Sequence, residues 1–396
     1  MSALVIKNAN VVTADAVLKN RSLLIDDGKI ASLDYSGNCT GTEVIDADGC
    51  YALPGFIDLH VHGGGGHDFM DATEEAFEGA VKAHLECGTT TMFPTSLAAS
   101  FEDLSAFLKT FLQFKKSNPY AIVTPGVHLE GPYFFGGDKL SRGAQNTTVL
   151  RDPTPEETEA LLAISDGAIL RWDAAPELDG ITEFGRTLKE RGIVAAVAHT
   201  DATAEEAIRS FENGFSHVTH FYNATSMHRK RGQKVHAGVV EATYLYDDVT
   251  VELIGDGCHI PKEDILLAMK IKGREKVSVI TDGMRLSASS LTKGKLGSKL
   301  TGTDVVVDDG VAKLEDLSSF AGSIATMDRC LCVLCHKYGI SLTDASVMLS
   351  LSPAIRMGIS KTKGSLEAGK DADVLLFDAE LNLKRVILGG KTVVEK

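Results

Sequence analysis

Pro54-Gly55-Phe56-Ile57-Asp58-Leu59-His60-Val61-His62-Gly63 reads as an apolar strand that ends in a His-x-His pair. Alternate side chains of a strand share a face, so both imidazoles aim at one point, where they could hold a divalent ion. Two histidines two apart also occur in ordinary strands, so the pair gains weight only from its partners elsewhere in the chain. Seven further short apolar, β-branched runs lie between residues 54 and 330: Thr89 to Pro94, Ile122 to Leu129, Ala168 to Trp172, Ile193 to Ala198, His217 to Phe221, Val249 to Ile254 and Val277 to Ile280. Most are separated by stretches of helical periodicity, such as Thr73 to Leu85, in which Thr73 is placed to cap the helix. Eight strands alternating with helices predict a (β/α)8 TIM-like barrel, although a doubly wound open sheet would show similar local patterns.

The two ends of the chain read differently. Residues 1–53 carry short strands with a hairpin turn at Asp26-Asp27-Gly28, and residues 363–396 carry more, with a turn at Gly389-Gly390. These predict a small β-sandwich domain built from both termini, with the catalytic barrel (54–362) inserted between its halves. Another hairpin, Asp304 to Leu314, follows the eighth strand and is expected to decorate the barrel mouth. The net charge of −14 argues against a nucleic-acid or anionic-membrane partner. The first residues lack the basic start and long apolar run of a secretory signal, so a cytoplasmic protein is expected.

The candidate chemistry falls at strand ends. The third run ends in His128-Leu129-Glu130-Gly131-Pro132, the fifth in Ala198-His199-Thr200, the sixth in Thr219-His220 and the eighth in Thr281-Asp282-Gly283. A carboxylate or imidazole directly after an apolar strand is costly to bury alone. A metal at one rim would explain several of them together. Seven cysteines in a chain without an export signal argue for reduced thiols. Cys332-Val333-Leu334-Cys335-His336 matches a haem-attachment pattern, with Cys330 nearby, but the segment reads better as a helix closed by Gly339 with cysteines as packing groups.

These motifs, with Ala174-Ala175-Pro176-Glu177, Thr219-His220-Phe221-Tyr222-Asn223-Ala224, Asp256-Gly257-Cys258-His259 and the closing Gly364 to Asp373, resemble the N-acetylglucosamine-6-phosphate deacetylases of the amidohydrolase superfamily over nearly the whole chain. The resemblance implies metal ligation by Glu130, His199 and His220, with Asp282 as acid/base carboxylate and His259 contacting the substrate amide carbonyl. Because His60 and His62 are present, it permits two divalent ions bridged by Glu130, with Zn, Fe, Mn and Co all compatible with the donors. Ala144, Gln145, Asn223, Ala224 and Arg231 fall where the family holds the sugar and its phosphate. Gln145 stands where some members have histidine; it can donate to a phosphate but supplies no charge. Arg231 lies in the densest basic run of an acidic chain, His228-Arg229-Lys230-Arg231. A homodimer whose second subunit helps complete this site is also implied.

The expected reaction is metal-dependent hydrolysis of the N-acetyl group of a phosphorylated amino sugar, with Asp282 moving the proton and His259 or the metal stabilising the oxyanion. The galactosamine epimer is an alternative substrate. A cyclic-amide hydrolase is disfavoured, because the fourth run, Ile169-Leu170-Arg171-Trp172-Asp173, has no Lys to carboxylate. A barrel that has lost its metal and serves as an interaction module is disfavoured because every expected ligand is present.

Overall fold

The structure, a computed structural model, describes residues 3–40, 42–137 and 139–396; the side chains of Lys139, Leu140 and Arg231 lie outside the described part. All eight expected central strands form: Phe56–Val61, Thr89–Pro94, Val127–Glu130, Ile169–Ala174, Val194–Val197, Phe215–Val218, Thr250–Ile254 and Val277–Ile280. The last six make one parallel sheet in chain order, and the first two make a parallel pair. Isolated bridges join the remaining gaps, Thr95 with His128 and Val61 with Gly283. This order fits the TIM-like barrel.

Helices alternate with the strands, and Thr73 caps the first of them, Glu74–Leu85, by accepting from the Ala76 N–H. Phe77, Val81 and Leu85 of that helix are buried, as its apolar spacing requires. Two strand expectations shift. Pro119–Val123 is a 3-10 turn started by Asn118 and Pro119, so the third strand begins only at Val127. The sixth strand covers Phe215–Val218, which leaves His220 in the turn beyond it.

Strands from the two termini do pair: Val374–Phe377 runs antiparallel to Tyr51–Pro54. They form one hydrogen-bonded, eight-stranded sheet, however, where a two-sheet sandwich was expected. The first strand, Leu4–Val12, explains the difference, because it takes Val17–Asp26 on one edge and both Glu43–Asp46 and Tyr51–Pro54 on the other. Alternation then divides the sheet: Leu4, Ile6, Leu376 and Ile387 pack into its own core, while Leu53, Leu375, Phe377 and Val386 join the main core.

The expected hairpin strands form at Thr303–Asp308 and Val311–Leu314, with Lys293–Leu296 as a third strand. Cys330 and Leu331 pack into the core from helix Met327–Cys332, and every cysteine is a free thiol. Among the described residues no helix is long and apolar enough to cross a membrane.

Candidate metal centre and substrate cavity

Two clusters of ligand atoms meet at the carboxyl ends of the strands. In the first, His60 and His62 leave the opening strand and Asp282 follows the eighth. The two Nε2 atoms are 3.1 Å apart, and Asp282 Oδ1 lies 3.2 Å from His62 Nε2 and 3.5 Å from His60 Nε2. In the second, Glu130 Oε1 is 3.0 Å from His199 Nε2 and 3.2 Å from His220 Nε2, and those two nitrogens are 3.2 Å apart. Glu130 also stands between the clusters, 3.6 Å from both His60 Nε2 and His62 Nε2. All six residues are buried.

Facing imidazole nitrogens at such distances satisfy each other only if a proton lies between them. A divalent cation would accept all their lone pairs at once, so the donor set fits one ion in each cluster. The backbone is set for this convergence. His199, His220 and Asp282 have φ of +46°, +27° and +49°, in the left-handed region that costs a non-glycine residue on the order of 1–3 kcal/mol. Gly131, directly after Glu130, has φ +84°, and a Cβ there would meet the Phe134 ring at 2.6 Å.

Electrostatics follow from the same contacts. Burial opposes the charge of His62, but Asp282 and Glu130 outweigh it and raise its pKa to about 9. His220 is likewise raised to about 9, burial being outweighed by Glu130. Burial pushes Glu130 up, yet His60, His199 and His220 hold it well below the usual carboxylate range. Asp282 is also lowered, with burial overcome by His62 and His60.

The clusters open into a cavity of about 850 Å³. Ala144, Gln145, Asn223, Ala224 and His259 all line it, as expected of substrate contacts. Asn223 brings a buried Nδ2 that no atom of the described residues accepts. His259 is held through Nδ1, 2.7 Å from Asp256 Oδ2, and its ring packs on Phe320 at 4.6 Å.

Gln145, named among the substrate contacts, also meets the metal cluster: its Nε2 donates to Glu130 Oε2 at 2.7 Å, and its Oε1 accepts from the Ala98 N–H. Arg231 lies on the short strand Arg229–Arg231, and its side chain is outside the described residues. Its neighbour Arg229 lines the cavity and pairs with Asp201 at 2.6 Å.

Sequence reasoning missed Asp256, Arg171, Asp173 and Glu252. Arg171, Asp173 and Glu252 form a buried ionic network against the metal cluster. Charges two apart on one strand, Arg171 and Asp173, and a lone Glu252 between Val251 and Leu253 were the available signal: such groups are buried only with partners.

Residues 51–393 match the Amidohydrolase family model. The chain is 32% identical over 393 residues to an N-acetylglucosamine-6-phosphate deacetylase of Bacillus subtilis, covering 98% of this chain and 96% of the relative. It is 28% identical to an N-acetylgalactosamine-6-phosphate deacetylase of Escherichia coli O157:H7, covering 98% of both chains. A mutant of the Mycobacterium smegmatis N-acetyl-D-glucosamine-6-phosphate deacetylase, solved in complex with N-acetyl-D-glucosamine-6-phosphate, superposes with a TM-score of 0.90 at 28% identity over the whole of both chains.

Proposed function

Because the chain belongs to the amidohydrolase family, we propose that it removes the N-acetyl group of N-acetylglucosamine 6-phosphate, giving glucosamine 6-phosphate and acetate. The observation that carries the reading is the pair of buried His/carboxylate clusters sharing Glu130 at the floor of one cavity. Full-length relatives with this activity support the choice of substrate. The reading includes a closed barrel over 54–362, a terminal domain from 1–53 and 363–396, a cytoplasmic location and a homodimer.

His60, His62 and Asp282 would hold one divalent ion, and Glu130, His199 and His220 the other. When bound, the metal supplies Lewis acidity that polarises the amide carbonyl and lowers the pKa of water toward neutrality. Asp282 is ionised and borders the cavity, so it can take a proton from the attacking water and return it to the leaving amine nitrogen. His259 borders the same cavity and stabilises the developing oxyanion, and Asp256 fixes its ring by accepting from Nδ1. Asn223 offers its free amide N–H groups to the sugar. Arg231, whose strand adjoins the cavity-lining Arg229, is assigned to the phosphate, following the family resemblance.

Acetate release from N-acetylglucosamine 6-phosphate and from its galactosamine epimer, each with and without added divalent metal, tests the proposal. Metal-dependent release with preference for the gluco epimer is expected. Preference for the galacto epimer would transfer the reading to the other deacetylase, and no release from either would reject both.

A further inference from the structure

Five titratable side chains with no part in the proposed reaction lie buried against the ligand clusters: His128, Arg171, Asp173, His217 and Glu252. Glu252 is their hub. It accepts from Arg171 Nη1 at 2.5 Å and Nη2 at 2.9 Å, and lies 3.3 Å from His217 Nε2. Arg171 is braced in turn by Asp173 at 3.0 Å and Thr219 at 2.6 Å. The same Oε1 of Glu252 reaches both metal clusters: it is 3.0 Å from His60 Nδ1 and accepts from the main-chain N–H of His220 at 3.3 Å.

The two contacts differ in kind. His60 is held through its ring, so the bond decides which nitrogen faces the site. His220 is held through its backbone, and its ring has a separate anchor, Nδ1 against the Asn223 carbonyl at 3.0 Å. Among the described residues His62 Nδ1 has no hydrogen-bond partner, so the Glu252 contact to His60 Nδ1 is the outer anchor of an imidazole ring in the first cluster.

We propose that Glu252, clamped by Arg171, is the positioning residue of the His60/His62/Asp282 cluster. By accepting the Nδ1–H of His60 it fixes the tautomer whose Nε2 is free to ligate, and so it governs whether that cluster holds a divalent cation. Loss of such an outer partner typically weakens metal binding about 10- to 100-fold. The inference rests on reading both clusters as metal sites.

The test is the zinc content and affinity of Glu252→Gln, a variant in which Arg171 keeps Asp173 as its counter-ion. The wild type is expected to hold two ions per chain. Glu252→Gln is expected to fold, keep one and bind the other about 10- to 100-fold more weakly. Adding His62→Ala to it should cost no further ion, whereas adding His199→Ala should remove the one that remains. Two ions at wild-type affinity in Glu252→Gln, or equal weakening of both, would overturn the inference. A wild type holding one ion would instead reject the two-ion reading. Nitrogen-15 NMR of the zinc-loaded wild type tests Glu252 apart from that count and without any variant: a proton on His60 Nδ1 is expected, and a proton on Nε2 would overturn the assignment.

Discussion

Asp282→Asn should abolish most turnover while leaving the fold in place. The substitution keeps the side chain's shape, and asparagine is among the residues that best tolerate the φ of +49° found there. What it removes is a basic group at the cavity floor, held ionised by His62 and His60 against the effect of burial. Proton transfer by a positioned group contributes about 10²- to 10⁴-fold, or roughly 2.7–5.5 kcal/mol of barrier. The change also deprives His62 of a carboxylate 3.2 Å away, so the first ion should bind more weakly. Steady-state acetate release at saturating metal gives kcat, and circular dichroism with metal analysis of the same sample separates catalysis from folding and loading. A folded, metal-replete variant with kcat within a few-fold of wild type would move the proton shuttle to another residue.

Arg231→Ala should lower kcat/KM for the phosphorylated substrate by roughly 30-fold to several thousand-fold, the effect of about 2–5 kcal/mol lost from a desolvated charge pair. The unphosphorylated acetylamino sugar should be nearly indifferent to it, and an equal loss on both substrates would place Arg231 in the structure instead. Asp256→Asn should reduce kcat by roughly 10- to 100-fold, because His259 loses the acceptor that fixes its ring; an unchanged kcat at full metal loading would remove His259 from oxyanion stabilisation. The ion-free protein should lose stability as pH rises. His62 and His220 titrate near 9 when folded against 6.5 for an ordinary histidine, so their contribution is complete below 6.5 and gone above 9. Metal affinity should climb over the same interval, as binding displaces those protons. A melting temperature of the chelated protein that is flat between pH 6.5 and 9 would contradict this.

Strand order and the gathering of candidate ligands at one rim were legible because each depends on local pattern. Apolar runs of period two end in His60, Glu130, His199, His220 and Asp282, and a parallel barrel brings such ends to one rim. The limits of the reading were also physical. The start of the third strand was misplaced because Ile122 and Val123 look like strand residues, while Asn118 and Pro119 lock a 3-10 turn around them. The terminal strands were recognised, but not that Leu4–Val12 takes partners on both edges, a long-range choice without a local signature. Gln145 was placed among the substrate contacts because it stands where some family members have histidine; its hydrogen bonds to Glu130 and Ala98 depend on how the loop folds back over the strand ends, which has no local signature. The Arg171–Glu252 network was hidden for the same reason, since its members lie on different strands.

Titration of a divalent metal into chelated protein, reading acetate release from N-acetylglucosamine 6-phosphate against ions bound per chain, tests the central claim most directly. Activity should be absent without metal, rise with the ions bound, and reach its plateau at no more than two per chain. Full activity in protein with well under one ion per chain would contradict the account.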